Sequence, residues 1–503
     1  MRHVLVSAAL LLQGALAFPF TPAHPIARAE SLRQIVSNLT SYLSPEAEVH
    51  YPNDTEWASL LIRGSSPRVY PDYSVVIEVA SEADVQLTVQ TAYDNGLPFL
   101  AISGAHGWTE TLNRLPYGIQ IRMRKLNTTT VDADGTTATI GGGSLQWETT
   151  RALFAENKQA VTGLCECVSI IGPLMGGGHS FLQGQHGFSL DNIVSARVVL
   201  ANGTLVEASN TENPDLFWAL RGAGHNFGIV TSFVVKAYDI ASDWTVYSLI
   251  YTQDKLEQVL ELVNQFENGT LDRPAKLITT GTLVRIPPLS DDPVLAYTVG
   301  YEGTLNETAP YAAPFLALEP LSTQLNTSVD FVELYTVTQN NLDAQACTRN
   351  NSITGSGVSL PSWKPTAIRT AYNIFANYTL DPRFSAAVIL LENYGMDGVY
   401  AVDPNSTALA ADERKNPIMT TPIIWYVGND TDTRAAALSW VGKVKDALYI
   451  DDESPRHTYV NYAIGSESLQ ELYGWEEWRV AKLEGLKRAW DPYNAFAYYN
   501  PLV

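Results

Sequence analysis

A chain of 503 residues exceeds what one hydrophobic core usually organises, so two domains are the expectation from length. Apolar residues make up 46% and charged ones 17%, a balance that excludes a disordered chain. Acidic side chains outnumber basic ones 53 to 32, and the net charge of -21 repels polyanions and anionic bilayers, so nucleic acid and membrane are not expected partners.

From the N-terminus, Met1-Arg2-His3 leads into an apolar run over residues 4–12 that closes on Ala15-Leu16-Ala17. A basic start, a short apolar stretch and small residues at the cut predict a secretory signal over residues 1–17. Asn-x-Ser/Thr acceptors at Asn38, Asn53, Asn127, Asn202, Asn268, Asn306, Asn326, Asn350, Asn377, Asn405 and Asn429 predict N-linked glycans and a eukaryotic export route. No later run is long and apolar enough to span a bilayer, and the expected localisation is secreted. The cysteines are Cys165, Cys167 and Cys347; at least one is unpaired within the chain, and their pairing stays open at this level.

Val75-Val76-Ile77-Glu78-Val79 reads as a strand, and Ser81 with Asp84 caps a helix whose Val85, Val89 and Ala92 share one face before Gly96. Residues 98–102 form a second buried strand running into Ser103-Gly104-Ala105-His106-Gly107, small residues past which backbone amides can approach an anion. Asp134-Gly135 and Asn202-Gly203 predict two hairpin turns, and Ser144 opens a helix after Gly141-Gly142-Gly143. Between the hairpins, residues 163–179 carry Gly163, Gly172 and Gly176-Gly177-Gly178. Glycine is entropically costly, so this density implies a backbone lying close to a flat group.

Asn213-Pro214 starts a helix ending at Arg221-Gly222, and Gly222-Ala223-Gly224-His225-Asn226-Phe227-Gly228 leads into Ile229-Val230-Thr231. A dinucleotide fingerprint follows a strand and opens a helix, whereas these glycines close a helix and enter a strand, which disfavours a Rossmann fold. From about residue 241 to about 449 the glycine motifs stop, and helical segments such as 255–266 alternate with β-rich ones such as 386–391, as in a second α+β domain. Trp475, Trp478, Leu483, Leu486 and Trp490 have the spacing of a docked helix. The histidines show no ligand spacing, so no metal is expected.

The loop ending in His106, the Gly-x-Cys-x-x-Val run from Gly163 to Val168 and the later Gly-Gly-Gly form one set of motifs. Asp215-Leu216-Phe217-Trp218 with Arg221-Gly222-Ala223-Gly224, and Tyr459-Val460-Asn461-Tyr462, complete it. Together they make the chain resemble a fungal-like secreted berberine bridge enzyme-like FAD-linked oxidoreductase, of the vanillyl-alcohol oxidase and p-cresol methylhydroxylase class. The resemblance implies an α+β fold: a two-part FAD-binding domain of the p-cresol methylhydroxylase type and an α+β substrate domain with an antiparallel sheet. The implied layout is an N-terminal segment at 18–66, the FAD-binding domain at 67–240, the substrate domain at 241–449 and a returning segment at 450–503.

It further implies covalent FAD, with His106 bonded to the flavin 8α carbon and Cys165 to carbon 6. Further cofactor contacts fall on Ser103, Gly104, Ala105 and Gly107, and on Gly163, Val168, Gly172, Gly177 and Gly178. Gly228, Ile229, Val230 and Asn461 complete that set. Here Ala105 replaces a usual glycine, Ile102 stands where an arginine often stands, and Glu166-Cys167 replaces a frequent Pro-Thr, so two thiols compete for the second bond. Tyr459 or Tyr462 is the expected proton acceptor. His179 sits where relatives place a side chain beside the substrate, and Glu392, Asn393 and Tyr394 are further candidates for the substrate side. Each also has a plainer reading as a packed, hydrogen-bonded core residue.

The implied activity is an oxidase that takes hydride from an alcohol, sugar or secondary-metabolite C–H and passes the electrons to molecular oxygen, giving hydrogen peroxide. Val168 leaves room for that oxygen. An oxidative cyclase or dehydrogenase is the alternative, a non-catalytic flavin- or carbohydrate-binding protein the second, and a monomer is expected.

Overall fold

The structure, a computed structural model, describes residues 25–65, 68–428 and 430–503. The expected signal over 1–17 and the acceptor Asn429 lie outside the described residues. Among the described residues no helix is long and apolar enough to cross a membrane.

The first sheet runs in the order Glu48–His50, Tyr73–Glu78, Gly118–Arg122, Phe99–Ile102. Tyr73–Glu78 and Phe99–Ile102 both pair in parallel with Gly118–Arg122. Parallel neighbours need a crossover, and the helix Glu82–Asp94 supplies one. Its capping box forms as the sequence predicts: the Ser81 hydroxyl accepts from the Asp84 backbone N–H, and the Asp84 carboxylate accepts from the Ser81 N–H. Val85, Val89 and Ala92 then pack on Val75, Ile77, Ile119 and Ile121.

The second sheet is antiparallel, in the order Thr129–Val131, Thr137–Gly141, Ile229–Lys236, Ile193–Val199, Leu205–Ser209. Both predicted hairpins are present in it. The helix Pro214–Ala223 breaks at Arg221 and Gly222 and delivers the chain into Ile229–Lys236, which places the glycine cluster before a strand as expected.

The third sheet has eight strands: Ser322–Val329, Trp244–Tyr251, Val294–Glu302, Leu277–Val284, Val388–Tyr394, Ile418–Tyr426 and Ser352–Gly355, with Val358–Leu360 also on Ile418–Tyr426. All its pairings are antiparallel. In the helix Leu256–Glu267, the residues Leu256, Val259, Leu260, Val263 and Phe266 recur every three or four positions, so one stripe is buried in this sheet's core. Pro365–Tyr378 and Thr431–Leu448 join the same core through Phe375 and Trp440. The fold is α+β, with antiparallel sheets dominant.

Three boundaries differ from the sequence reading. The helix after the triple glycine starts at Gln146, not at Ser144, because the Glu148 carboxylate accepts from the Leu145 N–H. The strand expected at 386–391 is Val388–Tyr394, since the turn Pro382–Phe384 holds the chain before it. The last helix is Glu477–Trp490; Gly474, at φ 106°, ends the preceding turn, and Trp475 lies outside the helix with its indole N–H donating to the Arg456 carbonyl.

Candidate active site

A cavity of about 350 Å³ is walled by the loop after Phe99–Ile102, the glycine-rich segment, the start of Ile229–Lys236, one face of the eight-stranded sheet and the returning C-terminal segment. The loop turns at Ala105, whose φ of 54° is left-handed, and this presents His106 to the cavity. The His106 Nε2–H donates to the Ala346 carbonyl at 2.9 Å. A carbonyl can only accept, so Nε2 carries the proton and Nδ1 keeps a free lone pair. Burial lowers the His106 pKa, which keeps the ring neutral.

Cys165 also lines the cavity and is a free thiol, which burial pushes up to about 11. The pairing left open by the sequence resolves as a Cys167–Cys347 disulfide. The buried Ser103 hydroxyl has no protein partner. A polar atom so placed needs a ligand or water.

The opposite wall comes from the eight-stranded sheet. Side chains alternate across a strand, so Leu390, Glu392 and Tyr394 share one face with Ile423 and Trp425 of the neighbouring strand, and Ile353 pairs with Trp425. Asn393 points the other way, bonding to Arg273, Glu267 and the Pro417 carbonyl, and leaves the site. Burial pushes the Glu392 carboxyl up to about 7, while nearby His179 and the Tyr394 hydroxyl pull it down. Tyr394 donates to Glu392 Oε1 at 2.9 Å, and Glu392 Oε2 has no partner.

His179 reaches the cavity from behind this wall. Its Nδ1 is hydrogen-bonded with Gln183 Oε1 at 3.0 Å and its Nε2 with Glu413 Oε1 at 2.7 Å. The other Glu413 oxygen accepts from His457 Nε2–H at 2.5 Å, and His457 Nδ1–H donates to the Glu471 carbonyl at 2.9 Å. Burial alone would raise the Glu413 pKa, but the two histidines outweigh it and lower the carboxyl to about 2.

The Tyr459 hydroxyl accepts from the Gly178 N–H and from Asn461 Nδ2–H, each at 2.7 Å. With both acceptor positions filled it braces the wall and is a poor proton acceptor. Tyr462 has no hydrogen bond to its hydroxyl among the described residues, and burial, followed by the Glu392 charge, raises its pKa well above the ordinary tyrosine value. Gly177 and Gly178, expected as cofactor contacts, stand behind the residues that line the cavity. A Cβ at Gly177 would meet the Tyr459 ring at 2.8 Å and one at Gly178 the Ser189 side chain at 2.4 Å, so these glycines admit neighbouring side chains.

The remaining expected residues are brought together here. Ser103, Gly104, Ala105 and Gly107 form one rim; Gly163, Val168 and Gly172 form the floor; Gly228, Ile229, Val230 and Asn461 complete it. The sequence reading missed Glu413 and His457, which stand 234 and 278 residues from His179 with no spacing signal. It also missed Ala346, Trp108 and Trp425. Among the described residues two groups of metal-ligand atoms converge, one at the edge of this cavity and one away from it. In Cys165, Cys167 and Cys347 two sulfurs are bonded to each other; in Glu48, His50 and Glu78 the carboxylates already pair with Lys125 and Arg122.

A neutral imidazole with a free Nδ1, an adjacent thiol, an unpartnered buried hydroxyl and a loop of small residues suit a flavin dinucleotide. Residues 73–209 match the FAD binding domain. An FAD-linked oxidoreductase of Penicillium rubens is 36% identical over 477 residues, covering 92% of this chain and 93% of its own. The chain belongs to this family and is an FAD-dependent oxidoreductase. Physcomitrella patens BBE-like 1 shares the fold at a TM-score of 0.78 and 21% identity, over 94% of this chain and 99% of its own. So does the glucooligosaccharide oxidase of Acremonium strictum, at 0.78 and 21% over 93% and 98%, described as holding a 6-S-cysteinyl, 8α-N1-histidyl FAD.

Proposed function

We propose that this chain is a secreted, glycosylated oxidase that holds FAD through His106 and Cys165 and oxidises a small organic donor. The observation that carries this reading is the convergence of His106, Cys165 and Glu392 on one cavity. When bound, FAD supplies the hydride acceptor and the two-electron store that oxygen empties to give hydrogen peroxide.

The protein residues do the rest. His106 Nδ1 is the atom free to bond the cofactor, because Ala346 occupies Nε2. Glu392 Oε2 accepts the donor's O–H or N–H proton while the Tyr394 hydroxyl holds Oε1 and fixes the carboxylate plane. Burial, with the Glu392 charge beside it, holds the Tyr462 hydroxyl well above the ordinary tyrosine pKa, so it stays protonated and can donate a hydrogen bond to the donor while Glu392 takes the proton. Val168, on the floor, keeps space for oxygen.

Export is supported by the exposure of Asn38, Asn53, Asn127, Asn202, Asn268, Asn306, Asn350, Asn377 and Asn405, and by a disulfide suited to an oxidising compartment. Oxidative cyclisation or dehydrogenation is the second reading. It is favoured by the apolar wall of Ile353, Leu390, Ile423 and Trp425, which offers a sugar few hydrogen bonds. Anaerobic mixing of the purified protein with alcohols, phenols and sugars tests both readings. Bleaching of the flavin absorbance identifies a donor, product mass separates ring closure from simple oxidation, and peroxide on readmitting air marks an oxidase. Flavin that no donor bleaches would reject the catalytic role of this cavity.

A further inference from the structure

The Cys165 sulfur lies 3.6 Å from the Cys167 sulfur and 3.5 Å from the Cys347 sulfur. Cys347 therefore has two candidate partners at the same place, and it is bonded to Cys167 with a Cα–Cα distance of 5.6 Å. The two strands of chain that meet here are laced by other bonds. The Glu166 N–H donates to the Asn340 carbonyl at 2.9 Å, and the Leu342 N–H to Glu166 Oε2 at 3.0 Å. The segment carrying Cys347 also holds Ala346, whose carbonyl sets the His106 tautomer, and Arg349, which donates to the Gly104 carbonyl at 3.0 Å. The lacing keeps Cys347 in place whichever sulfur it bonds.

We propose that these sulfurs form a selector: Cys347 can bond either Cys165 or Cys167, and its choice of Cys167 leaves Cys165 as the thiol that faces the cavity. The proposal rests on the reading that Cys165 bonds the flavin. Exchange between the two pairings needs no outside oxidant. The Cys165 thiolate bonds Cys347 Sγ, the Cys167–Cys347 bond breaks, and Cys167 leaves with the electron pair and takes up the proton lost by Cys165. The thiol lies beside the disulfide, so in-line attack requires Cys165 to rotate, and burial keeps it protonated; both slow the exchange once the chain is folded. With Cys167 absent, Cys165 and Cys347 are left as neighbouring thiols. Their bond then forms with loss of two protons and two electrons to molecular oxygen or a disulfide oxidant.

Peptide mass mapping of disulfides and flavin adducts tests the selector in wild type, C167A and C167A/C347A, each purified as the flavin-loaded protein. The wild type should show Cys167 bonded to Cys347 and flavin on the Cys165 peptide. In C167A, Cys165 should bond Cys347 and its flavin adduct should fall at least ~10-fold, with the His106 adduct kept. The double variant should regain the Cys165 adduct, because no partner remains to consume the thiol; loss of the cross-link alone predicts the same fall in both variants. If C167A does not fold, C167S, closer to cysteine in polarity, serves in its place. A single variant that keeps a free, flavin-bearing Cys165 would overturn the selector. A wild type with no flavin on Cys165, beside a Cys165–Cys347 bond in C167A, would instead remove the second tether and leave the selector standing.

Discussion

At Glu392, burial opposes ionisation strongly enough to bring the carboxyl to about 7, so it is only partly a base at neutral pH. The ionised fraction grows as pH rises, so the rate of flavin reduction by a donor should climb through about pH 7. Glu392→Gln should lower that rate by ~100- to 10,000-fold and flatten the profile, which stopped-flow reduction would measure. Glu413 has the opposite shift. Its pKa drops from 4.5 to about 2 on folding, so its stabilising contribution of about 3 kcal/mol is complete above pH 4.5 and is lost as pH falls towards 2. Glu413→Gln should therefore unfold at a lower temperature at pH 7, and the gap from wild type should narrow in acid. At Val168 the relevant quantity is space. Val168→Leu should leave anaerobic reduction intact and slow reoxidation by air, and an unchanged oxygen rate would reject its role.

The elements owe their positions to local signals of unequal strength. The capping box at Ser81 is short-range, was readable in the residues, and forms as read. Ser81→Ala should cost about 1 kcal/mol, seen as a lower denaturation midpoint with the flavin still bound. The hairpins at Asp134-Gly135 and Asn202-Gly203 were readable for the same reason: a turn requiring positive φ demands glycine locally, and Gly135 and Gly203 have φ of 68° and 80°. His106 and the Gly-x-Cys run were readable as a pattern, since each sits in a short motif of small residues whose order is local to the chain. The brace of His179, Glu413 and His457 was not, because hydrogen bonds between distant elements leave no periodicity. Gly177 and Gly178 mark the same limit. Their density pointed to a close approach, but what approaches is Tyr459 and Ser189, and only the packed structure distinguishes side chain from cofactor.

At the scale of the whole molecule, the glycine-rich sheets and the eight-stranded sheet contribute opposite walls of one cavity, and the C-terminal segment closes it. One wall carries His106 and Cys165, the other Glu392 and Tyr394. The return of the chain is fixed by Lys487, whose buried ammonium donates to the carbonyls of Asn226 and Phe496 and pairs with Asp491 at 2.6 Å. The most direct measurement is to denature and digest the purified protein and weigh the peptide that contains His106. The geometry predicts yellow colour retained by the unfolded chain and flavin mass on that peptide through Nδ1; the colour retained by the whole chain should fall in His106→Ala and vanish when Cys165 is removed as well. A colourless unfolded chain with an unmodified His106 peptide, in protein that had been supplied with FAD, would contradict it.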